Sequence, residues 1–320
     1  MIQYLFKIPE TKGLIIAGIL FAFALACIFL AKISDRLPRD LGREFAHDGK
    51  KSAGKPRGAG ILFIIVFVIA TAIFINCTRE VIIYLVLVVA AMLTGFMDDS
   101  SKNPWGEYKK GFLDFLIALA VAVTFLSYNS NSITLPLFNL TFTVPVIVVG
   151  LLIVVLVWAS INVTNCTDGV DGLSGTLTII TLSSILIFDK ISNLDSNFSF
   201  LIILFITVIL AYLWFNANPS KLMMGDAGSR AMGLFIAIAI LKTNSPLLYI
   251  PFAIVMILDG GLGLVKVFLL RFFKIRILTK TRTPLHDQAR KNKGWSNTQT
   301  VFRFAIIQIM VSAIVLYAVL

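Results

Sequence analysis

The sequence predicts an all-α polytopic membrane protein with ten transmembrane helices, and three observations carry that reading. The 320 residues are 58% hydrophobic and only 14% charged, whereas a soluble domain carries about 25% charge. Apolar runs that approach or reach the roughly 20 residues needed to cross a bilayer recur along the whole chain. Basic residues fall in alternate connections: 22 of the 28 Lys and Arg lie in 32–58, 98–110, 216–230 and 271–303. Helices are expected because lipid offers the backbone no hydrogen-bonding partner, and the alternation of a membrane barrel is absent.

The expected spans are 13–31, 60–76, 81–97, 112–128, 143–161, 173–188, 198–215, 229–243, 246–270 and 301–320. The first passes through "FALACIFLA" without a polar break, so it reads as a retained helix rather than a cleaved leader. The ninth contains Asp259 and Lys266, and each charge at membrane depth costs about 2.5–3.5 kcal/mol on insertion scales. "DGGLG" between them predicts a kink there, with Lys266 nearer the inner surface. An even number of spans puts both termini on one side, and the positive-inside rule makes that side external and the basic connections cytoplasmic. The net charge of +11 is therefore first a topology signal, and second a surface suited to anionic lipid or substrate phosphate. No nucleic acid is needed to explain it. Cys27, Cys77 and Cys166 show no zinc-type or redox spacing. Nothing divides the chain, so residues 1–320 read as a single membrane domain.

This topology gathers the acidic motifs on the cytoplasmic face. Span three ends in "GFMDDSSK", with Asp98, Asp99 and Lys102. The fifth ends in "NVTNCTDGVDGL", with Asn162, Asn165, Asp168, Asp171 and Gly172. "NANPSKLMMGDAGS" places Asn218 and Asp226 before the eighth, and "TPLHDQARKNKGW" places His286 after the ninth. Two adjacent carboxylates at a helix C-terminus oppose the dipole, and on a helix they point to different partners. Asp98 and Lys102 are spaced to pair. Asp171 has two readings, a helix N-cap or a ligand group in a glycine-rich loop free to wrap a substrate. Asp226 could reinforce a cap at Ser229, or hold a divalent ion at a positive helix terminus that suits a diphosphate. His286 in a basic loop reads equally as a surface residue. A transporter of an anionic metabolite would instead gather its polar residues at the midplane, where only Asp259 and Lys266 lie.

In order, "GFMDDSSK", "NVTNCTDGVDGL", "MGDAGSRAMG" and "TPLHDQARKNKGWSNTQTVFRF" resemble the motifs of the polyprenyl-phosphate N-acetylhexosamine-1-phosphate transferases. The ending favours the branch that handles the muramoyl-pentapeptide donor over the one that transfers GlcNAc-1-phosphate. "GKKSAGKPRGAG" resembles the family's first cytoplasmic loop more loosely. The resemblance implies that UDP-MurNAc-pentapeptide and undecaprenyl phosphate give undecaprenyl-diphospho-MurNAc-pentapeptide and UMP, with Mg²⁺, at a bacterial cytoplasmic (inner) membrane, in a homodimer. It implies Asp226 on Mg²⁺, Asp98 and Asp99 orienting the prenyl phosphate or receiving its proton, and Lys102 balancing these carboxylates. Lys55 (with Lys51 as its rival), Asn162, Asn165, Asp168, Asp171 and Gly172 would serve the nucleotide, Asn218 the metal and phosphates, and His286 the diphosphate. Direct attack by the prenyl phosphate and a covalent aspartyl intermediate both remain open. The chain departs from the branch where three consecutive histidines are usual: Asp287 and Gln288 follow His286.

Overall fold

The computed structural model describes residues 12–42, 52–101, 103, 105–192 and 196–319. Lys51 and Lys102 fall outside these residues, so the expected pairing of Lys102 with Asp98 does too. The helices are α1 (Lys12–Ile33), α2 (Gly60–Phe74), α3 (Arg79–Asp99), α4 (Glu107–Tyr128) and α5 (Val146–Thr167), then α6 (Leu173–Ile191), α7 (Ser196–Asn216) and α8 (Gly225–Leu241). They are followed by a broken pair, α9 (Pro246–Phe252) and α10 (Ile254–Phe273), bent by 71°, and by α11 (Asn297–Val319). Among the described residues seven helices are long and apolar enough to cross a membrane, and the bent pair taken as one adds an eighth. The two remaining expected spans, α2 and α8, are shorter helices. Between the expected fourth and fifth spans, α4 and α5, the chain forms a small antiparallel hairpin, β1 (Ser132–Leu135) with β2 (Leu140–Thr143).

The helix at the centre is α8, every residue of which is buried, packed against α2, α3, α5 and α6. Phe235 of α8 stacks on Phe205 of α7 at 4.0 Å, and Phe67 of α2 meets both rings edge-on. Outer helices reverse the soluble pattern. Phe302, Ile306, Met310, Ile314 and Tyr317 of α11 and Ile147, Leu151 and Val155 of α5 are exposed, as expected of surfaces that face lipid.

The kink expected at "DGGLG" is found upstream. Pro251 lies in α9 and the axis breaks after Phe252, whereas Ile257–Gly261 continues as a π-helical turn. Buried Gln308 of α11 spans the break: its Nε2 donates to Pro251 O (2.9 Å) and its Oε1 accepts from Val255 N (3.0 Å). A side-chain amide thus replaces the backbone pair that the bend opens, the condition for broken helix inside a membrane bundle. Lys266 donates to the carbonyls of Leu278 and Thr281, both at 3.0 Å, and so fastens the following connection.

Candidate active site

The C-terminal ends of α3 and α5, the N-terminal end of α8, the 52–59 loop and the 285–292 turn converge at one end of the bundle. Close backbone approach makes this possible. A Cβ on Gly95 would lie 2.3 Å from Asp226 O, so only glycine lets α3 press its last turn against the first turn of α8. The result is a cleft of about 580 Å³ whose wall includes Asp168, Asp171, Asp226, Lys55, Arg57 and Arg290.

Asp98 and Asp99 lie just behind that wall, turned to different partners. Asp98 accepts from Trp105 N (2.7 Å) and pairs with Lys110. Asp99 accepts from Arg57 Nε (2.8 Å) and from Ala227 N (3.2 Å). The two cations continue to Asp226, Arg57 at 3.7 Å and Lys110 at 3.3 Å, while Arg57 also meets Asp40 at 3.2 Å. Burial works against the Arg57 charge, but Asp99, Asp226 and Asp40 outweigh it and hold the guanidinium above its ordinary range.

The 168–171 loop forms another side of the cleft. Gly172 takes the N-cap of α6 with φ +83°, and no side chain caps that helix. Asp171 is therefore not a cap: it accepts from Ser220 N (3.2 Å) and stands 3.9 Å from Lys55 Nζ, which also donates to Ser220 Oγ (2.9 Å). Gly172 N donates to Asn216 Oδ1 (2.8 Å), tying the loop to the end of α7. Burial, reinforced by Asp226, pushes the Asp168 carboxyl up to about 7. Ser229 is likewise no cap. The helix begins at Gly225, and Ser229 Oγ accepts from Asn165 Nδ2 (2.9 Å) and donates to Gly225 O (3.0 Å). Asn162 stands apart from the cleft wall. It donates to Asp114 Oδ2 at 3.3 Å and joins the buried Asp114–Arg230 pair.

His286 is buried rather than a surface residue. Its backbone N donates to Asp259 Oδ1 (2.7 Å), and its Nδ1 lies 2.8 Å from Asp259 Oδ2. With Asp259 ionised, this arrangement places the proton on Nδ1. Its Nε2 faces the acidic loop so closely that a Cβ on Gly169 would fall 2.3 Å from it. Asp259, to which sequence reasoning gave no role, is the carboxylate that orients the histidine. Arg290 NH2 donates to Gly169 O (3.0 Å) and to Asp287 Oδ1 (2.8 Å). Burial would raise the Asp287 carboxyl, but His286, Arg290 and Lys291 hold it below its usual range.

Of the residues named from sequence, Lys55, Asn165, Asp168, Asp171, Asn218 and Asp226 line the cleft, Asp98, Asp99, Gly172 and His286 flank it, and Asn162 stands apart. Sequence reasoning missed Asp40, Lys110, Asp114, Arg230, Arg290 and Asn297. A signal existed for the Asp114–Arg230 pair, since charges inside expected spans call for a partner. Lys110 and Arg290 looked like ordinary loop cations.

A divalent ion is the cofactor at issue. Among the described residues no group of three or more His, Cys, Asp or Glu could hold a metal by itself. The carboxylates on the cleft wall, Asp226 among them, fit the Mg²⁺ habit of using one or two carboxylates with waters and substrate phosphates.

Residues 81–244 match the family described as Glycosyl transferase family 4, a stretch that holds Asp98, Asp99, Asp168, Asp171 and Asp226 but not His286. A Treponema pallidum (strain Nichols) protein named phospho-N-acetylmuramoyl-pentapeptide-transferase is 40% identical over 292 residues, covering 85% of this chain and 80% of the relative. Proteins of the same name from Dictyoglomus thermophilum and from a Drosophila simulans Wolbachia are 29% and 27% identical, covering 85% and 80% of this chain and 87% and 82% of their own lengths. The converging carboxylates, the helical bundle and these relatives agree: the chain belongs to glycosyl transferase family 4, within the phospho-N-acetylmuramoyl-pentapeptide-transferases.

Proposed function

We propose that the protein transfers phospho-MurNAc-pentapeptide from UDP-MurNAc-pentapeptide to undecaprenyl phosphate, giving lipid I and UMP. One observation carries the reading to this site: carboxylates and cations from four separate segments meet in a single cleft at one end of an apolar bundle. A donor from water and an acceptor held in lipid require such a boundary. With ten spans and external termini, the cleft opens on the cytoplasmic side of a bacterial inner membrane. The protein acts there as a homodimer.

In the proposed step an oxygen of the prenyl phosphate attacks the phosphorus that carries the sugar. The new P–O bond forms as the bond from that phosphorus to the bridging oxygen breaks, and UMP leaves with the bridging oxygen. A phosphate monoester has its second pKa near 6, so the attacking group is largely dianionic at neutral pH without a strong base. Direct attack is favoured by the settings of Asp98 and Asp99. Both oxygens of each accept a contact, from Trp105 N and Lys110 and from Arg57 and Ala227 N, which supports direct attack over a covalent aspartyl intermediate. Their work is to hold Lys110 and Arg57 where anionic phosphates converge. Positioning and charge neutralisation dominate such transfers.

Asp226 would hold Mg²⁺, which when bound would neutralise charge on the diphosphate. Asp168, Asp171, Asn165 and Lys55 form the donor side, Asn218 stands toward the phosphates, and His286 presents Nε2 to the same loop. The test is transfer of labelled sugar from UDP-MurNAc-pentapeptide into butanol-extractable lipid by purified protein. Transfer that requires undecaprenyl phosphate, stops in EDTA and returns with Mg²⁺ is expected. Folded protein that makes no lipid product would reject the proposal.

A further inference from the structure

Each cation of the cleft wall stands beside a carboxylate. Lys55 and Arg57, from the 52–59 loop, lie within 4.0 Å of carboxylates of Asp40, Asp99, Asp171 and Asp226. The other guanidinium in the wall is Arg290, from the 285–292 turn. It is 6% exposed, and separate elements fix its direction: Gly169 O at 3.0 Å, Asp287 Oδ1 at 2.8 Å, and Asn297 Oδ1 at 3.2 Å from NH1. Asn297 in turn donates to Asn218 Oδ1 (3.2 Å), and both asparagines line the cleft.

The two residues that depart from the family's histidine run build this presentation. Asp287 stands between Arg290 and Lys291, the latter at 3.4 Å. The Oε1 of Gln288 accepts from Arg282 N (2.9 Å), fastening the turn to the preceding connection. The outcome is a buried, preoriented guanidinium at the edge of an acidic loop. A guanidinium is always charged, and its planar fork matches phosphate and carboxylate oxygens better than a flexible ammonium does.

We propose that Arg290 binds an oxyanion of the donor and thereby positions it across the 168–171 loop. The inference rests on reading the cleft as the donor site. The donor offers that chemistry in two places, the diphosphate and the peptide carboxylates, and binding measurements separate them. Uridine, UDP and UDP-MurNAc-pentapeptide are titrated against the full-length protein in detergent, as wild type, Arg290→Gln and Arg290→Lys, and KM is measured for both substrates. Arg290→Gln is expected to weaken the full donor about tenfold or more, leaving uridine affinity and the KM for undecaprenyl phosphate unchanged. Arg290→Lys is expected to recover part of the loss. Loss with UDP as well assigns the phosphate; loss with the full donor alone assigns the carboxylate.

Unchanged donor affinity in Arg290→Gln overturns the proposal. So does an equal loss for uridine and acceptor, which would mark Arg290 as merely structural. If Arg290→Gln does not fold, Arg290→Lys decides. A several-fold loss confined to anionic ligands supports the proposal, and no loss overturns it. Wild-type protein that ignores the donor altogether would instead refute the donor-site reading, a result distinct from either.

Discussion

The two ends of this bundle use the same kinds of residue to opposite effect. Away from the cleft, Glu80 in the first turn of α3 receives Lys242 from the end of α8 at 3.0 and 3.2 Å, Asn129 from the end of α4 at 2.6 Å, and Tyr84 OH at 3.1 Å. Lys242 also donates to Asn129 Oδ1 (2.8 Å). One carboxylate, one ammonium and an amide close on one another and staple three helix ends together. At the cleft end, Asp168, Asp171 and Asp226 share one cavity wall, and burial with acidic neighbours pushes the Asp168 carboxyl up to about 7. Polar groups that satisfy one another serve the fold. Carboxylates that share a cavity wall, even when paired with Lys55, Arg57 and Lys110, leave room beside them for a ligand.

The sharpest way to break this contrast is Asp226→Asn, expected to lower kcat about 10³-fold while the protein stays folded. A turnover rate within a few-fold of wild type would remove Asp226 from the chemistry. Next comes Asp259→Asn. An asparagine amide would donate to His286 Nδ1 and force the proton onto Nε2, reversing what the ring offers the 168–171 loop. About a 10²-fold fall in kcat with both KM values unchanged is expected, with Asp259→Glu retaining more activity. Nitrogen NMR of the labelled imidazole would report the tautomer directly.

Two thermal measurements sharpen the comparison further. Glu80→Gln should lower stability by about 1–3 kcal/mol and leave turnover per folded molecule intact. Asp168→Asn should do the reverse. A carboxyl whose folded pKa is raised from 3.8 to about 7 disfavours the folded state once pH climbs above the unfolded value, increasingly up to the folded one. In EDTA, then, Asp168→Asn should raise Tm by about 2 °C or more at pH 8 and by little at pH 4. Equal effects at both pH values would contradict the electrostatic account of that loop.

Much of the cleft was legible because its motifs sit at span ends, where an apolar run stops abruptly in "MDDSSK" or "NCTDGVDGL". Hydropathy was blunter about where helices start. It began the eighth span at Ser229, whereas α8 begins at Gly225, because a first turn of Gly-Asp-Ala-Gly carries no apolar signal. The break at Pro251 was misplaced onto the glycines since the amide that makes it tolerable, Gln308, comes from α11, 57 residues later in the chain. Lys110, Arg290 and the partner of His286 were hidden for the same reason. Lys110 reaches Asp226 across 116 residues of sequence, Arg290 reaches Gly169 O across 121 and His286 reaches Asp259 across 27, contacts set by how helices pack, which no local pattern records.

Phospho-sugar transfer to a prenyl phosphate is the chemistry proposed for the cleft-end carboxylates. The most direct measurement is UMP release by purified protein with Mg²⁺ and undecaprenyl phosphate, comparing UDP-MurNAc-pentapeptide with UDP-GlcNAc. Selective turnover of the muramoyl donor is expected, even though Asp287 and Gln288 follow His286. Turnover of UDP-GlcNAc alone would contradict the donor assignment, and no UMP from either, in protein shown to be folded, would contradict the chemistry.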